Sequence, residues 1–294
     1  MDNKRKFPLI LSNFWLKVIA LLTMTIDHIG FLLPAGPLYV TFRIIGRIAF
    51  PLCAFMIAEG AIHTKSFSKY ALRLGIMASA ISLALIINEI IGIDPTLRED
   101  GNIFIDLLLG AFAIYLLRQN KWYIKALAVL PILFGVYSFI GASLESCGCH
   151  GEILWCPYFI RGQYGWFGVS LIVLFYLAHY LAQLFIKYHS SISGIALENY
   201  KDSNFERMTL NIFSTIVLVF ISALFYVVGK LMPPAYVNWM VDIQFLAVIA
   251  GAFILLYNGR RGYNKKWFQY GSYLYYPVHL LIIYGIYSLI TTLL

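Results

Sequence analysis

Nine apolar stretches, most of them close to the 20 residues that cross a bilayer as helix, limit what this chain can fold into. They run roughly over 16–33, 38–62, 70–92, 102–118, 122–141, 164–186, 208–230, 240–258 and 270–292. The apolar residues are continuous within each stretch, whereas a transmembrane barrel needs strands of about 10 residues with alternating character. Hydrophobic residues make up 61% of the 294 and charged residues 12%, half the share of a soluble domain. One water-soluble core cannot hide that much apolar surface. A soluble globular enzyme, a disordered chain and a disulfide-stapled secreted module are therefore excluded. The expected fold is all-α: a polytopic helical membrane protein of about nine transmembrane helices in one bundle, a single domain over 1–294.

The formal charge of +8 does not point to nucleic acid, because the basic residues sit in short clusters between the apolar stretches. With the N-terminus in the cytoplasm, sixteen of the 22 Lys and Arg fall on the inner side, from Lys4, Arg5 and Lys6 to Arg260, Arg261, Lys265 and Lys266. Only Arg98, Arg161 and Lys230 fall outside. The asymmetry predicts the N-terminus in and the C-terminus out. The first stretch carries Asp27 and His28 and lacks a small-residue cleavage site, so it is expected to be a retained helix, not a signal peptide. The longest connections, 142–163 outside and 187–207 inside, are too short to fold alone, and the polar stretch from Ser190 to Asn204 is expected to be a loop.

Three of the four cysteines, Cys147, Cys149 and Cys156, share the expected outer loop with His150. One disulfide with a thiol left over is the expected state on an oxidising face. The same four residues have the types for a tetrahedral zinc site, but their spacing matches no zinc motif and no metal is expected.

Ionisable residues inside apolar spans are expensive, so they normally face a protein-lined cavity and serve a function. Lys17, Glu59 and Asp242 sit near span ends and can reach the interface. His28, Arg43 and Arg47 are too deep for that. On the first helix Lys17 and His28 are eleven residues apart, hence about 16 Å along the axis and about 20° in rotation, so both point into one groove. On the second, Arg43 and Arg47 form an i,i+4 pair on one face, Arg43 at about the depth of His28 and Arg47 one turn deeper. A histidine facing two arginines suits a general base beside an anion-stabilising group. Asp27 is turned by about 100° from His28, which suits it to pair with an arginine. Asp106 is expected either to neutralise an arginine or, with Asn88 and Glu89, to meet a ligand at the outer mouth.

The run Leu16-Lys17 to Asp27-His28-Ile-Gly30 resembles the opening helix of the TraX family. So do Phe42-Arg43-Ile-Ile-Gly46-Arg47 to Phe50-Pro51, Ile57-Ala58-Glu59-Gly60 with His63-Thr64-Lys65, and Tyr164-Gly165-Trp-Phe-Gly168-Val169. Leu255-Leu-Tyr257-Asn258-Gly259, Arg261-Gly262 and Tyr275-Tyr276-Pro277-Val-His279 follow in family order. The family's namesake is similar to a pilin N-terminal acetylase, and the family resembles wider transmembrane acyltransferases that share a basic residue, ten others, then a catalytic histidine. The resemblance implies transfer of an acetyl group from cytoplasmic acetyl-CoA to an extracytoplasmic acceptor, a pilin amine or a cell-envelope glycan hydroxyl, by an enzyme of the bacterial inner membrane. His28 would be the base, with Arg43, Arg47 and Asp27 in the catalytic set. Lys17, Arg260, Arg261 and Lys265 would hold the polyanionic co-substrate at the inner mouth, and His279 would line its tunnel. The lipid bilayer is the remaining partner; a homodimer is left open. Two other classes compete: a proton-coupled anion transporter or flippase, and a non-catalytic assembly factor of a conjugation or secretion machine. No inverted repeat supports the transporter.

Overall fold

A computed structural model describes residues 9–91, 101–146, 156–201, 203–232 and 240–293, and the statements below concern these residues. They form helices α1 Asn13–Phe31, α2 Pro37–Gly46, α3 Ala49–His63, α4 Phe67–Ile91, α5 Ile103–Leu117, α6 Trp122–Ala126, α7 Val129–Ser146, α8 Gly165–Ser193, α9 Asn204–Leu231, α10 Met240–Phe245, α11 Ala250–Leu255 and α12 Lys266–Leu293. The chain is all-helical there, and each of the nine apolar stretches contains helix. Six spans are long and apolar enough to cross a membrane: Asn13–Phe31, Pro37–His63, Phe67–Ile91, Trp122–Glu145, Tyr158–Ser193 and Asn204–Leu231. Ile103–Leu117 and Val241–Leu255 are apolar but shorter. Large apolar side chains stand exposed in stripes, as Leu72, Ile76, Leu83, Ile87 and Ile90 do on α4, which in water would be untenable and in lipid is solvation.

Three of the expected continuous helices are interrupted, and proline accounts for two of the breaks. Pro51 has no N–H for the carbonyl of Arg47, and its ring crowds that carbonyl, so the helix tightens over Arg47–Ile48 and restarts as α3. Pro131 does the same at Leu127, separating α6 from α7. The third interruption, a 3-10 turn over Leu246–Ile249 between α10 and α11, contains no proline. The connection read as a loop over 187–207 is shorter than expected. Helix α8 runs on to Ser193, and the Tyr200 hydroxyl ties the following turn back to His189 Nδ1 (2.8 Å) and Ser193 Oγ (3.0 Å).

Close packing divides the chain into two units. One comprises Met1–Cys53, Leu177–Val219 and Leu246–Leu294; the other comprises Ala54–Tyr176 and Phe220–Phe245. The second unit is built around α5, which is apolar nearly all round and buries Ile103, Phe104, Leu107, Ala111, Ala113 and Ile114. Small residues let its neighbours close in, since a Cβ at Gly110 would lie 2.6 Å from Ile172. Asp106 on α5 is fully buried and corrects the expectation placed on it. Its carboxylate accepts the Tyr164 N–H (2.9 Å) and the backbone N–H groups of Gln163 and Gly165, the unsatisfied donors at the start of α8. It is therefore turned to a helix terminus in the core and not to an arginine. Glu89 accepts from the Tyr158 hydroxyl, and Arg161 is ion-paired with Glu145. Cys147, Cys149 and His150 lie outside the described residues. Cys156 is a thiol lying against Gly141 and hydrogen-bonded to Tyr137; burial pushes its pKa up.

Candidate functional site

The first unit holds the ionisable cluster. Helices α1 and α2 form a tight hairpin, because two glycines remove the side chains that would separate them. A Cβ at Gly30 would lie 2.6 Å from that of Phe42, and one at Gly46 would lie 2.1 Å from Asp27 Oδ1. The glycines of the Asp27-His28-Ile-Gly30 and Arg43-Ile-Ile-Gly46-Arg47 motifs thus have a packing reason: they bring the Asp27 carboxylate onto the α2 backbone between the two arginines.

Asp27 grips both. Arg43 Nη1 lies 2.8 Å from Oδ2, and Arg47 Nη2 donates to Oδ1 and Oδ2 at 3.1 and 3.0 Å. Arg47 Nε also donates to the Arg43 carbonyl (3.2 Å), and the Arg43 guanidinium lies over the Phe31 ring. Arg43 and Arg47 are 6% and 3% exposed, so these charges are effectively out of water. Two guanidinia and one carboxylate leave one net positive charge in a low-dielectric setting, a place where an anion or a developing oxyanion is stabilised. Asp27 is the positioner of the arginines, as its rotation from His28 implied.

His28 projects beside this triad, and His279 lies against it. Helices α1 and α12 run parallel: Phe14 packs on Phe268, Thr25 Oγ1 lies 2.6 Å from the Tyr275 hydroxyl, and His28 Nδ1 lies 3.1 Å from His279 Nε2. His279 is nearly buried, with the Tyr275 ring stacked on its face and Tyr276 edge-on. The sequence placed His279 either along the co-substrate tunnel or in a hydrogen bond to a neighbour; the structure sets it against His28, a contact that only the pairing of α1 with α12 reveals.

The cationic candidates for a polyanion lie at the other end of α1. The segment after α11 returns to the start of α1, where Asn13 N–H and Phe14 N–H donate to the carbonyls of Arg260 and Arg261 (2.9 and 3.2 Å). Left-handed backbone at Gly259 and Gly262 (φ 72° and 66°) makes these turns, and Gly262 has no room for a side chain against Ser12. Arg260, Arg261 and Lys265 are consequently exposed beside the first turns of α1, with half-buried Lys17 one turn further in. Arg207, at the start of α9, also belongs here. It stacks over Tyr257, donates from Nε to Asn211 Oδ1 (3.1 Å) and packs on Gly259. About 16 Å of α1 separates Lys17 from His28.

The family described as TraX protein matches residues 12–287. A curated protein, the probable fimbrial assembly protein FimC, serogroup H1, of Dichelobacter nodosus, is 25% identical over 280 residues, covering 92% of this chain and 94% of that protein. No solved structure matches. The chain belongs to the TraX family.

Proposed function

We propose that this TraX-family chain is an acyltransferase of the bacterial inner membrane that passes an acetyl group from cytoplasmic acetyl-CoA to an extracytoplasmic acceptor. The observation that carries the reading is the juxtaposition of the His28 ring with the Arg43–Asp27–Arg47 triad, at one end of a helix whose other end gathers Lys17, Arg260, Arg261 and Lys265. With about nine spans and the basic-rich side in the cytoplasm, the cationic end faces the acetyl-CoA pool and His28 lies toward the outer face. The pantetheine arm is roughly as long as the Lys17–His28 separation.

The chemistry is general-base acyl transfer. His28 takes the proton of the acceptor amine or hydroxyl as that group attacks the thioester carbonyl. The net positive charge of the triad stabilises the oxyanion that forms. When the C–S bond breaks, the departing thiolate takes the proton from His28, which returns to its neutral state. A pilin subunit is the favoured acceptor, because the relative from Dichelobacter nodosus is named for fimbrial assembly. That name suits a non-catalytic assembly factor equally well, and this is the competing reading.

The two part in one experiment. Full-length protein in lipid nanodiscs is given radiolabelled acetyl-CoA and a pilin-derived peptide with a free N-terminal amine. The wild type is expected to bind acetyl-CoA and label the peptide, and His28→Ala to bind it but lose transfer by at least about 10²-fold. Wild-type protein that neither binds acetyl-CoA nor labels the peptide would make the assembly factor the better account. A His28→Ala variant that transfers at the wild-type rate would remove His28 as the base.

A further inference from the structure

We propose that His279 is the positioning residue for His28: it accepts the Nδ1 proton of His28 and so keeps the reactive lone pair on Nε2. The consequence for turnover rests on the acyl-transfer reading; the tautomer itself does not.

The hydrogen bonds leave one consistent arrangement for two neutral rings. His279 Nδ1 lies 2.7 Å from the Tyr275 carbonyl, which can only accept, so Nδ1 carries the proton and Nε2 carries the lone pair. That Nε2 faces His28 Nδ1 at 3.1 Å. His28 Nδ1 in turn lies 2.9 Å from the Met24 carbonyl, a second acceptor. A lone pair on His28 Nδ1 would be repelled by the Met24 oxygen and would leave His279 Nε2 unsatisfied; a proton there serves both. His28 is therefore the Nδ1–H tautomer, and its Nε2, to which no described residue hydrogen-bonds, carries the lone pair a base needs.

The His279 ring cannot turn away easily. It is 5% exposed, held by its own helix through Nδ1, and stacked on Tyr275 at 5.0 Å and 11°. The Tyr275 hydroxyl is itself fixed to Thr25, one turn before His28. The arrangement also favours the reacting state over the resting one. Once Nε2 of His28 has taken a proton, the bond from Nδ1–H to His279 becomes charge-assisted and stronger. Loss of His279 should therefore appear in kcat and leave KM for acetyl-CoA unchanged.

Nitrogen-15 NMR of histidine-labelled full-length protein in lipid tests this without reference to activity, with His28 assigned by difference against His28→Gln. The chain has six histidines, few enough to resolve. The wild type is expected to show His28 protonated on Nδ1. His279→Leu leaves the Met24 carbonyl as an acceptor for His28 Nδ1, so the Nδ1–H share should fall measurably without inverting, and kcat should drop by at least about tenfold. His279→Gln keeps an acceptor near the Nε2 position; it should restore the tautomer and recover kcat to within about threefold of wild type. If the leucine variant does not fold, His279→Asn, which is too short to reach, takes its place. An unchanged His28 tautomer in His279→Leu or His279→Asn, or a glutamine variant no better than these, overturns the proposal. A tautomer shift in a protein with no transfer activity would instead sink the acyl-transfer reading and leave the role of His279 standing.

Discussion

The Asp27 carboxylate occupies the space where a side chain at residue 46 would be: a Cβ on Gly46 would lie 2.1 Å from Oδ1 and 2.3 Å from the Asp27 Cβ. Because the crowding involves the base of the aspartate side chain as well as its tip, rotation about the side-chain bonds cannot relieve it. The α1–α2 hairpin would have to open, and the carboxylate would leave Arg43 and Arg47.

Gly46→Ala should therefore mimic removal of Asp27. Breaking a buried ion pair from one side costs about 3–5 kcal/mol, and a loss of stability of that order, read as a lowered thermal midpoint in detergent, is expected. The diagnostic comparison is the double variant Gly46→Ala/Asp27→Gly, which removes the crowding Cβ as well as the carboxylate and should be no less stable than Asp27→Gly alone, because the two lesions act on one contact. Additive losses would show that Gly46 matters for some other reason.

The triad can be separated into its structural and chemical parts. Asp27→Asn removes the carboxylate that the two buried guanidinia share and should destabilise by about 3–5 kcal/mol. Replacing all three charges together, as Asp27→Leu/Arg43→Met/Arg47→Met, should recover most of that loss, since a buried ion cluster is often worth no more than apolar packing of the same volume. Acyl transfer should stay absent in the recovered protein. A stable, active triple variant would reduce the triad to scaffolding.

The cluster was legible in sequence to the extent that single helices define it. Eleven-residue spacing aligns Lys17 with His28, and i,i+4 spacing pairs Arg43 with Arg47; both follow from helix geometry without tertiary information. The breaks at Arg47–Ile48 and Leu127–Ala128 were readable too, from Pro51 and Pro131, but continuous hydropathy masked them. His279 was not readable, because its partner is 251 residues away and depends on how α12 lies against α1. Asp106 misled for a related reason. Its neutralising groups are backbone N–H groups at 163–165, and backbone donors have no signature in the residue types.

That location makes Asp106 a test of structure apart from function. Asp106→Ala would strand several buried N–H groups at the start of α8, each costing about 1–3 kcal/mol. It should lower stability or expression sharply. Asp106→Asn keeps one acceptor oxygen and should lose less. Protein of either variant that does fold should retain acetyl transfer; a folded, inactive Asp106→Asn would give the residue a chemical role.

The orientation on which the proposed reaction depends can be read directly. A reporter inserted at Gly194, in the turn after α8, should report from the cytoplasm, and one fused after Leu294 should report from outside. Both reporters on one side would place acetyl-CoA and acceptor differently and remove the transmembrane route.

Lys17 tests the cationic end independently of the base. It is half-buried one turn inside the point where the backbone of Arg260 and Arg261 is bound to the start of α1. A phosphate or pyrophosphate there would meet its ammonium at short range. Lys17→Ala removes a charge-assisted contact, worth about 1.5–3 kcal/mol, and should raise KM for acetyl-CoA by about tenfold or more. Since His28 lies about 16 Å away, kcat at saturation should stay close to wild type. Arg260→Ala should shift KM in the same direction by less, because that side chain is exposed and its contact is screened. A Lys17 variant with an unchanged KM and a lowered kcat would move this lysine out of the co-substrate site and into the machinery around His28.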